Sequence, residues 1–209
     1  MPDWNLENNC EGYVCGIDEA GRGPWIGPVA AGAVIFLTHD INPELLNGIN
    51  DSKKLSAKKR EYLYELLLKE AECGHLCYGI GEASAAEIDK LNILQATFLA
   101  MRRAVEKLSI KPAHALIDGN RLPAEFICTA TCHIGGDAKS YSIAAASILA
   151  KVHRDRLMQK MASQYPGYGL EKNAGYGTKD HIEGLKKFGV TPEHRKSYKP
   201  IKEFLAQSA

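Results

Sequence analysis

Two apolar runs, residues 13–18 (YVCGID) and 29–37 (VAAGAVIFL), are separated by ten residues, EAGRGPWIGP, crowded with Gly and Pro. Each run reads as a strand bounded by turn residues. A crossover between parallel strands needs a dozen residues or more, so a connection this short makes the two strands antiparallel. Whatever the chain builds, it builds on that pair.

The rest of the chain alternates. Ser56 caps a helix to about Glu72 with Leu63, Leu66 and Leu67 on one face, and residues 75–80 read as a third strand. Ser84 begins a short helix toward Leu91, and a longer one runs to Leu108. Residues 113–118 (AHALID) and 126–134 are the fourth and fifth strands, and a long helix covers about 142–161. Strands that follow helices can pair in parallel. The expectation is an α/β chain with a mixed five-stranded sheet flanked by helices. Residues 164–178 are loop chemistry rich in Gly and Tyr, 179–188 a short helix, 192–200 a basic turn and 201–206 a last helix. We therefore expect a main domain over 1–162 and a small basic helical region over 163–209.

Charge follows the same division. Residues 1–150 carry 14 Lys and Arg against 19 Asp and Glu, whereas residues 151–209 carry 12 against 6. A basic C-terminal quarter points weakly to nucleic acid. With 45% hydrophobic and 24% charged residues, wholesale disorder is excluded, and no apolar run reaches the length of a membrane span. No leader pattern is visible at the N-terminus, so a cytoplasmic location is expected and the cysteines are expected to be reduced. Cys128 and Cys132 read as small core residues on one face of the fifth strand. Nothing in the sequence demands more than a monomer.

Four carboxylates stand at strand ends or just beyond. Asp18 and Glu19 close the first strand, Asp118 closes the fourth, and Asp137 follows the fifth in GGDAKS. Acids converging on one rim repel each other unless a cation holds them, and hard oxygen ligands favour Mg²⁺ or Mn²⁺. Taken singly each has an ordinary explanation: Asp137 fits a helix N-cap, and Asp118 a turn with Gly119 and Asn120. Gly21-Arg22-Gly23 could bring backbone and a cation close to a phosphate, or simply make a tight connection. Lys53 and Lys54 precede a helix, where they oppose its dipole and could meet phosphate or solvent. Lys151, Arg154 and Arg156 are expected on the exposed side of the long helix, with Asp155 pairing among them. Tyr165, Tyr168 and Tyr176 could stack on sugars or bases, or pack the tail.

Five blocks carry a resemblance: GIDEAGRGPWIGPVAAGAV, DSKKLS, ALIDGN, GGDAKSYSIAAASILAKVHRDRLM and NAGYGTKDH. In this order and spacing, over about residues 13–198, they resemble bacterial ribonuclease HII, a type 2 ribonuclease H. The resemblance implies a ribonuclease H-like fold. It implies cleavage of the RNA strand of RNA/DNA hybrids, and nicking 5′ of single ribonucleotides in duplex DNA, leaving 3′-hydroxyl and 5′-phosphate ends. It assigns Asp18, Glu19, Asp118 and Asp137 as the catalytic, metal-binding set for two Mg²⁺ or Mn²⁺ ions. Gly21, Arg22 and Gly23 would read the 2′-hydroxyl, Tyr176 would pack on the adjoining sugar, and Lys53 and Lys54 would lie near the substrate backbone. The chain departs from the pattern at Ala174, where many relatives would carry lysine. A non-catalytic hybrid-binding module, or a DNA-only metal nuclease on the same fold, are the competing readings.

Overall fold

The computed structural model describes residues 1–49 and 55–207. Among them five strands form one sheet: β1 (Val14–Ala20), β2 (Val29–Phe36), β3 (Leu76–Ala83), β4 (His114–Asp118) and β5 (Thr129–His133). Their order is β3-β2-β1-β4-β5. The β1–β2 and β2–β3 pairs are antiparallel, and the β1–β4 and β4–β5 pairs parallel. The first loop gives the expected antiparallel pair, but length alone does not decide it: β4 and β5 pair in parallel across residues 119–128, which are equally short and carry no helix. The helices are α1 (Asn5–Asn8), α2 (Pro43–Gly48), α3 (Ala57–Glu72), α4 (Ala85–Leu91), α5 (Ile93–Glu106), α6 (Tyr141–Gln164), α7 (Leu170–Asn173), α8 (Lys179–Phe188) and α9 (Lys199–Gln207), with a 3₁₀ turn at Gly136–Ala138. No helix among the described residues is long and apolar enough to cross a membrane.

Strand alternation divides the core. Cys15 and Ile17 of β1, Ala31 and Ala33 of β2, and Ala115 and Ile117 of β4 pack with α5 residues Ala96, Ala100 and Met101. The opposite face packs against α6, α3 and α2. There the alanine-rich stretch of α6 lies almost on the sheet. A Cβ on Gly16 would come within 2.1 Å of the Ser142 backbone, and one on Gly32 within 2.4 Å of the Ala146 carbonyl oxygen. Gly16 and Gly32 are thus the hollow that seats α6, and α6 is the element that backs the end of β1. A third cluster joins Ile26 and the end of α6, at Met158 and Met161, to Tyr168, Leu170, Leu185 and Ile201 of the C-terminal region.

Several expectations need correction. β1 runs two residues past Asp18, because Glu19 and Ala20 still pair with Ala31 and Ala30. β5 is shorter than residues 126–134, leaving Cys128 ahead of the strand, and both Cys128 and Cys132 are half-buried on this edge strand rather than core. Asp137 does not cap α6; the Ser140 side chain does, accepting from the Ile143 N–H. Arg154 is not on an exposed face but fully buried, because α6 turns it toward the first loop. Asp155 pairs with Lys151 and lies 3.6 Å from Arg60 of α3, so it ties two helices together.

Candidate active site

The registers place the acids. Ile17 of β1 aligns with Ile117 of parallel β4, and both point into the α5-side core. Asp18 and Asp118, one residue on, therefore share the opposite face at the same height. Glu19 returns to the α5 side, where it lines a cleft with Thr97, Asp118, Asn120, Arg121 and Arg22. Asp118 Oδ1 accepts the Gly136 N–H at 2.7 Å, which locks the turn carrying buried Asp137 beside the end of β4. The structure thus brings all four acids to one rim.

Asp18 is 1% exposed. Its Oδ1 accepts the Glu19 N–H at 2.7 Å, while Oδ2 is buried with no hydrogen-bond partner among the described residues. Burial, then the charges of Glu19 and Asp118, push its carboxyl well above the usual carboxylate range; the Ser147 hydroxyl and the Glu19 N–H oppose this only in part. A buried acceptor without a donor, beside two further carboxylates, is chemistry that a hard divalent cation satisfies. The residues fit such an ion. Among the described residues no three His, Cys, Asp or Glu side chains already enclose a metal position, so these acids are gathered but not closed around an ion.

The loop after β1 forms the next wall. Gly21 has φ +93°, and a Cβ there would strike the Arg154 side chain at 1.9 Å. A Cβ on Gly23 would sit 3.1 Å from the Tyr176 ring, which is half exposed. Gly21, Arg22, Gly23 and Tyr176 line one cleft with Glu19 and Lys151. Arg22 reaches back to Glu19 at 3.3 Å. Lys53 and Lys54 lie outside the described residues.

Sequence reasoning missed what holds this loop. The Arg195 guanidinium is buried and donates to the carbonyls of Gly21 (2.6 Å), Arg22 (2.9 Å), Gly27 (2.9 Å) and Pro28 (3.1 Å), and to the Tyr198 hydroxyl oxygen. Arg154 donates to the carbonyls of Pro28, Ala174 and Ile26. Burial and the Arg195 charge lower Arg154 to about 10, so it stays protonated at neutral pH. Tyr176 is held by a second buried set. The Thr191 N–H donates to His194 Nδ1, so His194 Nε2–H donates to His181 Nε2, and His181 Nδ1–H to the Tyr176 carbonyl. In sequence Thr191, His194, Arg195 and Tyr198 belong to TPEHRKSY, a basic turn with no period to mark it as interior.

The sequence pattern of the family described as Ribonuclease HII matches residues 15–201. The chain is 52% identical over 205 residues to the ribonuclease HII of Paramagnetospirillum magneticum, covering 98% of this chain and 99% of that one. It is 53% identical over 209 residues to that of Rhodospirillum rubrum, covering 100% and 94%. Its fold matches the crystal structure of ribonuclease H2 from Pyrococcus horikoshii with a TM-score of 0.75 at 27% identity, over 94% of this chain and 98% of the other.

Proposed function

The chain belongs to the ribonuclease HII family and is an endoribonuclease, and from that premise we propose that it hydrolyses the RNA strand of RNA/DNA hybrids and nicks duplex DNA on the 5′ side of single embedded ribonucleotides. The observation that carries this reading is the buried Asp18 carboxyl, one oxygen without a partner among the described residues, beside Glu19 and Asp118 and just ahead of the Gly21–Gly23 loop.

In this reading Asp18, Glu19, Asp118 and Asp137 are the residues that would hold two Mg²⁺ or Mn²⁺ ions. Such ions, when bound, activate the attacking water and neutralise charge on the departing 3′ oxygen. The chain's own residues do the rest. The sheet holds Asp18 and Asp118 at one height, so the scissile phosphate has a fixed seat. The loop places backbone against the ribose, where absent glycine side chains leave room for a 2′-hydroxyl, the group that separates RNA from DNA. Tyr176 packs beside it on the adjoining sugar. Lys53, Lys54 and the basic residues of the tail hold phosphates without reading sequence. The 2′-hydroxyl is read and not used as the nucleophile, so 3′-hydroxyl and 5′-phosphate ends result.

The test is cleavage of three substrates: a DNA duplex with one ribonucleotide, a long RNA/DNA hybrid and an all-DNA duplex, each with Mg²⁺, Mn²⁺ or chelator. Metal-dependent cutting of the first two and not the third supports the reading. Cutting of plain DNA would convert the protein to a DNA nuclease on this fold, and binding without cutting to a hybrid-binding module.

A further inference from the structure

Arg195 spends its guanidinium in an unusual way. It is 0% exposed, yet among the described residues neither it nor Arg154 contacts a carboxylate. A buried charge without a counter-charge is costly, so its retention calls for a role besides stability. Its partners define that role. In a trans peptide the C=O of one residue and the N–H of the next point in opposite directions. Drawing the Gly21 and Arg22 carbonyls inward to Arg195 therefore aims the Arg22 and Gly23 N–H groups outward, toward the cleft side. Among the described residues those two N–H groups donate to no protein acceptor. Tyr198 repeats the grip, its hydroxyl donating to the Arg22 carbonyl while accepting from Arg195. Asp89, from α4, anchors the turn below, accepting the Lys196 and Ser197 N–H groups at 2.9 and 2.8 Å.

We infer that Arg195, seconded by Tyr198, is a positioning residue for ribonucleotide specificity: it orients the Gly21-Arg22-Gly23 peptide planes so that two free N–H donors face the ribose at the cut. This rests on the proposed reading that the loop recognises the 2′-hydroxyl. Lysine at 195 would keep the charge and lose the planar fork that grips four carbonyls at once.

The experiment compares wild type, Arg195→Lys, Gly21→Ala and the double variant. Two quantities are measured: kcat/KM on a duplex with one ribonucleotide, and Kd for the matching all-DNA duplex. Misplacing a positioning element by an ångström costs on the order of 10²-fold, so Arg195→Lys should lower kcat/KM by about that factor. The all-DNA Kd, which depends on phosphate contacts, should stay within about twofold. In the Gly21→Ala background, where the loop is already displaced, Arg195→Lys should add less than about threefold. If Gly21→Ala cripples cleavage while Arg195→Lys does not, or if the two losses multiply in the double variant, the inference is overturned and the loop's own role stands. If neither lowers kcat/KM, the loop reading itself fails. A parallel rise in the all-DNA Kd would show a general structural role and overturn the inference too. Should Arg195→Lys not fold, as judged by its melt, Tyr198→Phe decides: it should cost about tenfold on the same substrate, and wild-type kcat/KM there would overturn the inference.

Discussion

Asp18→Asn should stabilise the metal-free protein while abolishing cleavage. Asp18 is buried, its Oδ2 accepts no hydrogen bond among the described residues, and Glu19 and Asp118 add like charge. An unsatisfied buried acceptor costs about 1–3 kcal/mol. Asparagine removes the charge and offers an amide donor to the neighbouring carboxylates. At about 2–4 °C per kcal/mol for a chain of this size, the melting temperature in chelator at pH 7 should rise by roughly 2–12 °C. The pH dependence has a definite sign. The folded state holds the Asp18 proton more tightly than the unfolded state, whose carboxyl titrates near 3.8. Asp18 therefore favours folding fully below that pH, and the contribution is lost as pH rises through its raised folded value. The gap between variant and wild type should widen from pH 4 to pH 7. Added Mg²⁺ should raise the wild-type melt by occupying the site and leave Asp18→Asn nearly unmoved. Thermal melts with chelator and with Mg²⁺ at these pH values decide it. A variant that melts below wild type in chelator at pH 7 would show Asp18 to be a satisfied structural group, and would refute the reasoning.

Four further outcomes follow from the same structure. Asp137→Asn should lower kcat on hybrid by about 10³-fold or more, the worth of several kcal/mol of charge stabilisation, with little change in the chelated melt. Gly32→Ala should destabilise by about 1–3 kcal/mol in urea titration, because its Cβ would sit 2.4 Å from the Ala146 carbonyl oxygen under α6. His194 is held near 4 by burial and by His181, so the stability of its neutral form is present above pH 6.5 and is lost as pH falls toward 4. Denaturant midpoints should drop through that window, and His194→Gln should flatten the drop. Cleavage should weaken with added salt, because releasing counterions from the phosphates gains less free energy as bulk salt rises; a salt-independent kcat/KM would contradict the phosphate grip.

Much of the fold was legible because it is written in local signals. The Gly- and Pro-rich loop between two apolar runs pointed to the antiparallel β1–β2 pair, and Ser56 and Ser84 announced α3 and α4 as caps that the structure keeps; the parallel β4–β5 pair, across an equally short loop, was not legible from length. That Asp18, Glu19, Asp118 and Asp137 stand at one rim was legible because the strand ends were readable. What escaped was interior polarity. Arg154 looked like a surface residue on an amphipathic helix, since no sequence periodicity says that a guanidinium will be buried under a loop from residue 21 to 28. Arg195 and Tyr198 looked like part of a basic turn, because their partners lie far away in sequence, at Gly21, Arg22 and Gly27. Asp137 admitted two readings in sequence, helix cap or site acid, and the cap belongs instead to Ser140, whose side chain accepts the Ile143 N–H.

The central claim is that carboxylate-held metal cuts beside a ribonucleotide whose 2′-hydroxyl is read and not attacked. The most direct measurement is the end chemistry of the nick in a DNA duplex with one ribonucleotide and Mg²⁺. A single cut on the 5′ side, with 3′-hydroxyl and 5′-phosphate ends, is the predicted result. A cut on the 3′ side leaving a 2′,3′-cyclic phosphate would mean that the 2′-hydroxyl is the nucleophile, and would contradict the account.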